Sequence, residues 1–172
     1  MKFYETNLKG VKYIKYESFE DNRGYFFQSF SDNGYSFLGD EINFKQDNFS
    51  LYKKNVLRGL HAQNRYPQGK LVTCTYGKIF DVAIDIDINS HTYGEYFAIE
   101  LSQENNTQLW IPPGYAHGFC VLSETAIVHY KCSEIYHPED ELGFRWNDPF
   151  INIKWPISNP IVSTKDLSWS FI

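Results

Sequence analysis

Apolar residues in this chain come in short runs and alternations rather than at helical spacing. Gly, Pro, Asn and Asp punctuate them, and these residues supply turn conformations. The pattern predicts strands over residues 24–30, 43–50, 55–60, 70–76, 78–87, 95–101, 107–111, 117–122 and 125–136. Alternation is clearest over 78–87. There Phe80, Val82, Ile84 and Ile86 fall on one side, and Asp81, Ala83, Asp85 and Asp87 on the other. One short helix is expected within 32–40. Many short strands at regular spacing make an all-β sandwich or barrel, and a jelly roll can enclose a ligand cavity. The stretch from Trp155 onward is expected to wrap the barrel as short helical or irregular elements, with residues 1–172 forming one domain.

Composition narrows the function. Aromatic residues are 18% of the 172, a share that suits strands and stacking walls. The formal net charge of -5 argues against nucleic acid or an anionic membrane as a partner held by bulk charge. Any phosphate must therefore meet a local basic cluster. Cys74, Cys120 and Cys132 form no C-x-x-C pair and sit in apolar runs, which predicts buried free thiols in a reducing compartment. The N-terminus lacks the apolar core of a signal peptide, and no run approaches a membrane span. The expected location is the cytoplasm.

The densest chemistry lies between Arg58 and Lys70, which bound thirteen residues with His61 among them. An imidazole titrates near pH ~6.5 when unperturbed and suits proton transfer at neutral pH. A lone histidine near a strand end is usually packed or surface, but two nearby cations and the flanking Gly59 and Gly69 favour a site. Strict alternation places Arg58 and His61 on opposite faces, so a bulge or bend near Gly59 is required for both to line one cavity. Lys70 opens an apolar strand and shares a face with Val72, Cys74 and Tyr76. It is either solvated or, if that face turns inward, able to hold a developing enolate. Tyr130, Cys132 and Tyr136 share a face, with His129 and Lys131 opposite. That pattern fits core aromatics and a cavity phenol equally. Arg23, in the turn Asp21-Asn22-Arg23-Gly24, could join Arg58 in gripping a diphosphate, because guanidinium forks match phosphate oxygens.

Pro112-Pro113-Gly114-Tyr115-Ala116-His117 fits the P-x-G-x-x-H pattern of cupin barrels. Metal cupins carry an upstream H-x-H and a carboxylate. Here that spot reads His61-Ala62-Gln63, with Lys70 to oppose a dication, so no metal is expected.

With these residues in hand, the chain resembles the dTDP-4-dehydrorhamnose 3,5-epimerase family, a metal-free branch of the cupins. The resemblance runs through Asp21-Asn22-Arg23-Gly24, Gln46-Asp47-Asn48, Val56-Leu57-Arg58-Gly59-Leu60-His61 and Gln68-Gly69-Lys70-Leu71-Val72. It continues through Ala116-His117-Gly118-Phe119, Tyr130-Lys131, Trp146-Asn147-Asp148 and Ser163-Thr164-Lys165-Asp166. It implies a cupin-type jelly-roll barrel that inverts C3 and C5 of a nucleotide-linked 4-keto-6-deoxyhexose without metal or redox cofactor. His61 resembles the base, Asp166 the carboxylate that orients it, Tyr130 the acid and Lys70 the enolate-stabilising lysine. Arg23 and Arg58 resemble diphosphate ligands, with Gln46 and Asn48 contacting substrate. Phe19 and Tyr136 match aromatic positions flanking the nucleobase, and His117 a residue lining the sugar pocket. Gln28 stands where the family usually has a glutamate contacting thymine. An amide there keeps an acceptor and adds a donor. The family's homodimers exchange N-terminal strands, so some contacts would come from a partner chain. Single-carbon epimerisation, a metal-dependent cupin and a sugar-nucleotide binding module are the alternatives.

Overall fold

The computed structural model describes residues 1–39 and 42–172. Among them the strands are β1 Lys2–Glu5, β2 Lys12–Lys15, β3 Ser18–Asp21, β4 Gly24–Phe27, β5 Gln46–Lys53, β6 Leu57–Gln63 and β7 Lys70–Tyr76. There follow β8 Lys78–Asp85, β9 Tyr96–Ser102, β10 Thr107–Ile111, β11 Tyr115–Val121, β12 Thr125–Cys132 and β13 Glu141–Gly143. Among the described residues one α-helix, α1, spans Thr164–Ser168. The helix expected within 32–40 is a 3-10 helix over Asn33–Leu38, and Asp40 lies outside the described residues.

One sheet runs β1-β2-β10-β7-β12-β5, a second runs β13-β6-β11-β8-β9, and among the described residues β3 pairs only with β4. The pairings β5 with β12, β6 with β11, β7 with β10 and β8 with β9 are nested and antiparallel. That nesting is a long hairpin rolled over on itself, which makes the all-β fold a cupin-like jelly roll.

Three apolar layers hold it together. Between the sheets lie Val72, Cys74, Ile79, Ala83, Leu109, Phe119 and Val128. Outside the six-stranded sheet, Leu71 and Trp110 pack under the 3-10 helix residues Tyr35 and Phe37. Outside the five-stranded sheet, Val82 and Ile84 pack with Phe80 against Ile151, Ile153 and Trp155. The alternation over β8 is therefore inverted with respect to the barrel. Its apolar side faces the C-terminal segment, while the side bearing Asp81 and Ala83 faces the interior. Burial of apolar area drives both packings, and the tail supplies the second one.

The tail is pinned by hydrogen bonds. Ile161 bridges to Val56, and the Leu57 amide donates to the Ile161 carbonyl at 2.9 Å. Buried Asp148 accepts from the Phe150 and Ile151 amides at 2.8 and 3.1 Å and from the Ile172 amide at 2.7 Å. These bonds carry α1 back onto β6. Wrapping of the barrel by the segment after Trp155 is thus observed.

Candidate functional site

β6 and β11 are neighbours, and their register slips once. His61 faces His117 and Arg58 faces Phe119, so three steps along β6 match two along β11. The extra residue is the bulge required near Gly59. Gly59 has a φ of 131°, and a Cβ there would lie 2.5 Å from the Gly118 Cα. No other residue fits so close a strand approach. The bulge turns both Arg58 and His61 into one cavity of about 550 Å³ between the sheets.

Asp166 reaches this cavity from α1. Ser163 caps the helix, its hydroxyl accepting from the Asp166 amide at 3.0 Å. The Asp166 carboxylate then holds β6 in two places. Oδ1 lies 2.8 Å from His61 Nε2, and Oδ2 accepts from the Gly59 amide at 3.1 Å. Burial works to raise the Asp166 carboxyl. The His61 hydrogen bond and charge, with the Gly59 and Ser163 bonds, outweigh it and hold the group below the usual carboxylate range.

The six-stranded sheet supplies the facing wall. Tyr130 on β12 lines the cavity. Burial pushes its phenol above the ordinary value, while the Arg58 guanidinium pulls the other way. Arg58 Nη1 also donates to the Tyr52 hydroxyl at 3.0 Å. Lys70, the first residue of β7, points inward and lies 3.5 Å from the His61 carbonyl oxygen. Burial lowers its ammonium and Arg58 adds to that, against the opposing Cys132, Asp81 and Glu141. Gln46 and Asn48 face in from β5, joined by a 2.9 Å hydrogen bond. Gln46 Oε1 also accepts from the Tyr136 amide at 2.8 Å, which fixes the loop that presents the Tyr136 ring.

Two further carboxylates sit close by. Asp81 on β8 is fully buried, and its Oδ1 lies 2.7 Å from His117 Nε2. Glu141 opens β13 and accepts from the Tyr136 hydroxyl at 2.7 Å. Its Oε2 also accepts from Lys165 of α1, and its Oε1 lies 4.0 Å from His61 Nδ1.

The structure thus brings together His61, Asp166, Tyr130, Lys70, Arg58, Gln46, Asn48, His117 and Tyr136. It does not bring Arg23, Phe19 or Gln28 to the same chain's cavity. Those three belong to the β3–β4 hairpin and the residue just beyond it, and among the described residues the hairpin pairs with no other strand. Arg23 is held by its neighbour Asp21 at 2.5 Å, and Phe19 is 65% exposed. Tyr52, Glu141 and Lys165 line the cavity without having been singled out from sequence. Tyr52 was within reach. It continues the inward series Gln46, Asn48, Ser50, and was lost because the strand was ended at residue 50 rather than at Lys53. Glu141 carried no signal, because its place depends on the pairing of β13 with β6.

Comparisons with known proteins agree with this geometry. Residues 5–172 match the family model described as dTDP-4-dehydrorhamnose 3,5-epimerase. A dTDP-4-dehydrorhamnose 3,5-epimerase of Methanothermobacter thermautotrophicus is 47% identical over 171 residues, 98% of this chain and 92% of the relative. One from Escherichia coli is 47% identical over 169 residues, 96% of this chain and 91% of the relative. A crystal structure of dTDP-6-deoxy-D-glucose-3,5-epimerase from Legionella pneumophila, in complex with dTDP-4-keto-L-rhamnose, superposes with a TM-score of 0.96. It is 43% identical and covers 99% of this chain and 92% of its own. A match of this length, on a barrel whose cavity holds a histidine–carboxylate pair opposite a tyrosine, places the chain in the dTDP-4-dehydrorhamnose 3,5-epimerase family.

Proposed function

We propose that the chain is an epimerase that inverts C3 and C5 of dTDP-4-dehydro-6-deoxy-D-glucose to give dTDP-4-dehydro-L-rhamnose. One observation carries the reading: His61, hydrogen-bonded to Asp166 at 2.8 Å on one sheet, shares a cavity with Tyr130 on the other. The C4 ketone acidifies the hydrogens on both adjacent carbons. His61 removes one as a proton, and the electron pair moves through the new C–C double bond onto the ketone oxygen. Lys70 is the cation assigned to that enolate oxygen. Tyr130 returns a proton from the opposite face, and the configuration inverts. Once His61 has released its proton and Tyr130 has regained one by exchange with solvent, repeating the cycle at the second carbon completes the product. No carbon changes its net oxidation state, so the reaction draws on no redox cofactor. Acid–base transfer of this kind contributes about 10²–10⁴-fold, and enolate stabilisation must supply much of the rest.

Arg58, with Gln46 and Asn48 nearby, is assigned to the diphosphate and nucleotide, and Tyr136 to the nucleobase. His117 is assigned to the sugar pocket. Arg23, Phe19 and Gln28 are assigned to the site of a second copy in a homodimer. In support, the hairpin forms no strand pairing with the rest of its own chain among the described residues. Its Phe26 is 68% exposed, as are Phe49 at 70% and Leu51 at 65% on β5, an edge strand. We take residues 1–172 to act as one domain in the cytoplasm. The buried free thiols of Cys74, Cys120 and Cys132 fit a reducing compartment, and no helix among the described residues is long and apolar enough to cross a membrane.

The test is incubation with dTDP-4-dehydro-6-deoxy-D-glucose in deuterated water, read by mass spectrometry and NMR. Deuterium at both C3 and C5 is the expected result. Label at one carbon would make it a single-carbon epimerase, and no label would make it a binder. Mixing Arg23→Ala and His61→Asn chains should restore activity absent from each alone if the hairpin serves the partner's cavity.

A further inference from the structure

Glu141 lies outside every sequence motif, yet its carboxylate lines the cavity and joins several of its groups. Its side chain is 8% exposed. Oε2 is engaged by the Tyr136 hydroxyl and the Lys165 ammonium, and Oε1 is turned toward His61 Nδ1 at 4.0 Å. Nδ1 is the ring nitrogen that Asp166 does not hold, since Asp166 holds Nε2. A ring whose Nε2–H donates to Asp166 has its free lone pair on Nδ1, the atom that would accept a substrate proton. We propose that Glu141 is a positioning residue for His61, a second carboxylate set beside the ring to favour its protonated form and itself bonded to the Tyr136 wall.

The geometry supports this in three ways. The ring lies between two carboxylates on opposite edges, so the imidazolium gains from both when a proton arrives on Nδ1. Glu141 stays ionised in its place. Burial would raise its carboxyl, but the Lys165 and Tyr136 hydrogen bonds and the His61 charge hold it below the usual range. The same oxygen pair connects three elements, β6 through His61, the loop after β12 through Tyr136 and α1 through Lys165. A ligand that stacks on Tyr136 therefore touches a group already bonded to the carboxylate beside the base. The other charged or titratable groups facing the ring are Asp166 on α1, His117 on β11, Lys70 on β7, Tyr130 on β12 and Arg58 on its own strand. Lys165 tempers Glu141 from the solvent side.

This inference rests on His61 being the base of the proposed reaction, but its test does not depend on turnover. The His61 ring is titrated by NMR in the wild type, Glu141→Gln and Lys165→Met. Gln keeps the shape and a hydrogen-bond acceptor without the charge, so its His61 midpoint should fall. Lys165→Met leaves the Glu141 charge less neutralised, so its midpoint should rise by a smaller amount. In kinetics the low-pH limb of kcat/KM should follow the same two directions, and Glu141→Asp should restore the wild-type limb better than Gln. A His61 midpoint unmoved in both variants overturns the proposal, whether or not the enzyme turns over. Should Glu141→Gln fail to fold, the rise in exposed Lys165→Met supports the proposal and its absence overturns it. Absence of deuterium exchange in the wild type would instead overturn the reaction, with the titration still deciding the role of Glu141.

Discussion

Two histidine–carboxylate pairs lie side by side in this barrel, and only their surroundings distinguish them. His61 and His117 occupy facing positions on β6 and β11. Each has Nε2 on an aspartate oxygen, at 2.8 Å for Asp166 and 2.7 Å for Asp81. Asp166 spends its second oxygen on the Gly59 amide, whereas the Asp81 Oδ2 has no hydrogen-bond partner among the described residues. His117 is buried at the cavity wall, and burial pushes its imidazole below the usual value. Lys70 and His61 push the same way, and the Asp81 charge and hydrogen bond only partly resist. Desolvation thus holds His117 toward its neutral form, while His61 turns an edge toward the cavity. In the proposed reaction the same pair of side chains is a proton carrier in one place and a fixed prop of the sugar pocket in the other.

The largest expected effect tests that division directly. His61→Asn should lower kcat/KM by about 10²–10⁴-fold and abolish deuterium uptake at C3 and C5. His117→Asn should cost at least about tenfold less, with label still entering both carbons. Steady-state kinetics and mass spectrometry on the two variants decide it. Equal losses would mean that both histidines move protons. The aspartates should follow their partners at lower magnitude. Asp166→Asn should reduce kcat by about 10²-fold, because the amide no longer stabilises the charged ring, while Asp81→Asn should lose under about tenfold.

How much of this was legible in the sequence depends on whether a residue's role is local. Strands β7 and β10 match their expected bounds, because Gly69, Gly77 and Pro112 fence short apolar runs. The bulge at Gly59 was legible too, since Arg58 and His61 cannot otherwise share a face. β1, β2 and β3 were not. Their polar and aromatic residues are mixed, and they gain order from partners far along the chain, as β2 does from β10. The split of β8 into two faces was readable, but which face turned inward was not. That was decided by a C-terminal tail able to cover Val82 and Ile84, which left the interior to Asp81. Glu141 illustrates the same limit within the site. In His137-Pro138-Glu139-Asp140-Glu141 it reads as part of an acidic surface turn. Only the register of β13 on β6, with Glu141 opposite Gln63 and Gly143 opposite His61, puts it beside the base.

The smallest effect concerns stability and sharpens the contrast without any substrate. An imidazole whose folded pKa is depressed contributes no penalty above about pH 6.5, where the unfolded chain is also neutral. Below that pH the unfolded chain takes up a proton that folded His117 resists. Stability must then fall with pH, by at most about 1.4 kcal/mol per unit for this one group, until its folded pKa is passed. Asp166 works in a different window. Its folded carboxyl lies below the ordinary value, so its contribution is intact above about pH 3.9 and is lost only at more acidic pH. Urea unfolding between pH 5 and 8 should therefore show a slope in the wild type that His117→Asn flattens. A His117→Asn slope identical to the wild type would mean that His117 protonates freely in the folded protein. The buried pair would then be no prop, and the distinction drawn from its burial would fail.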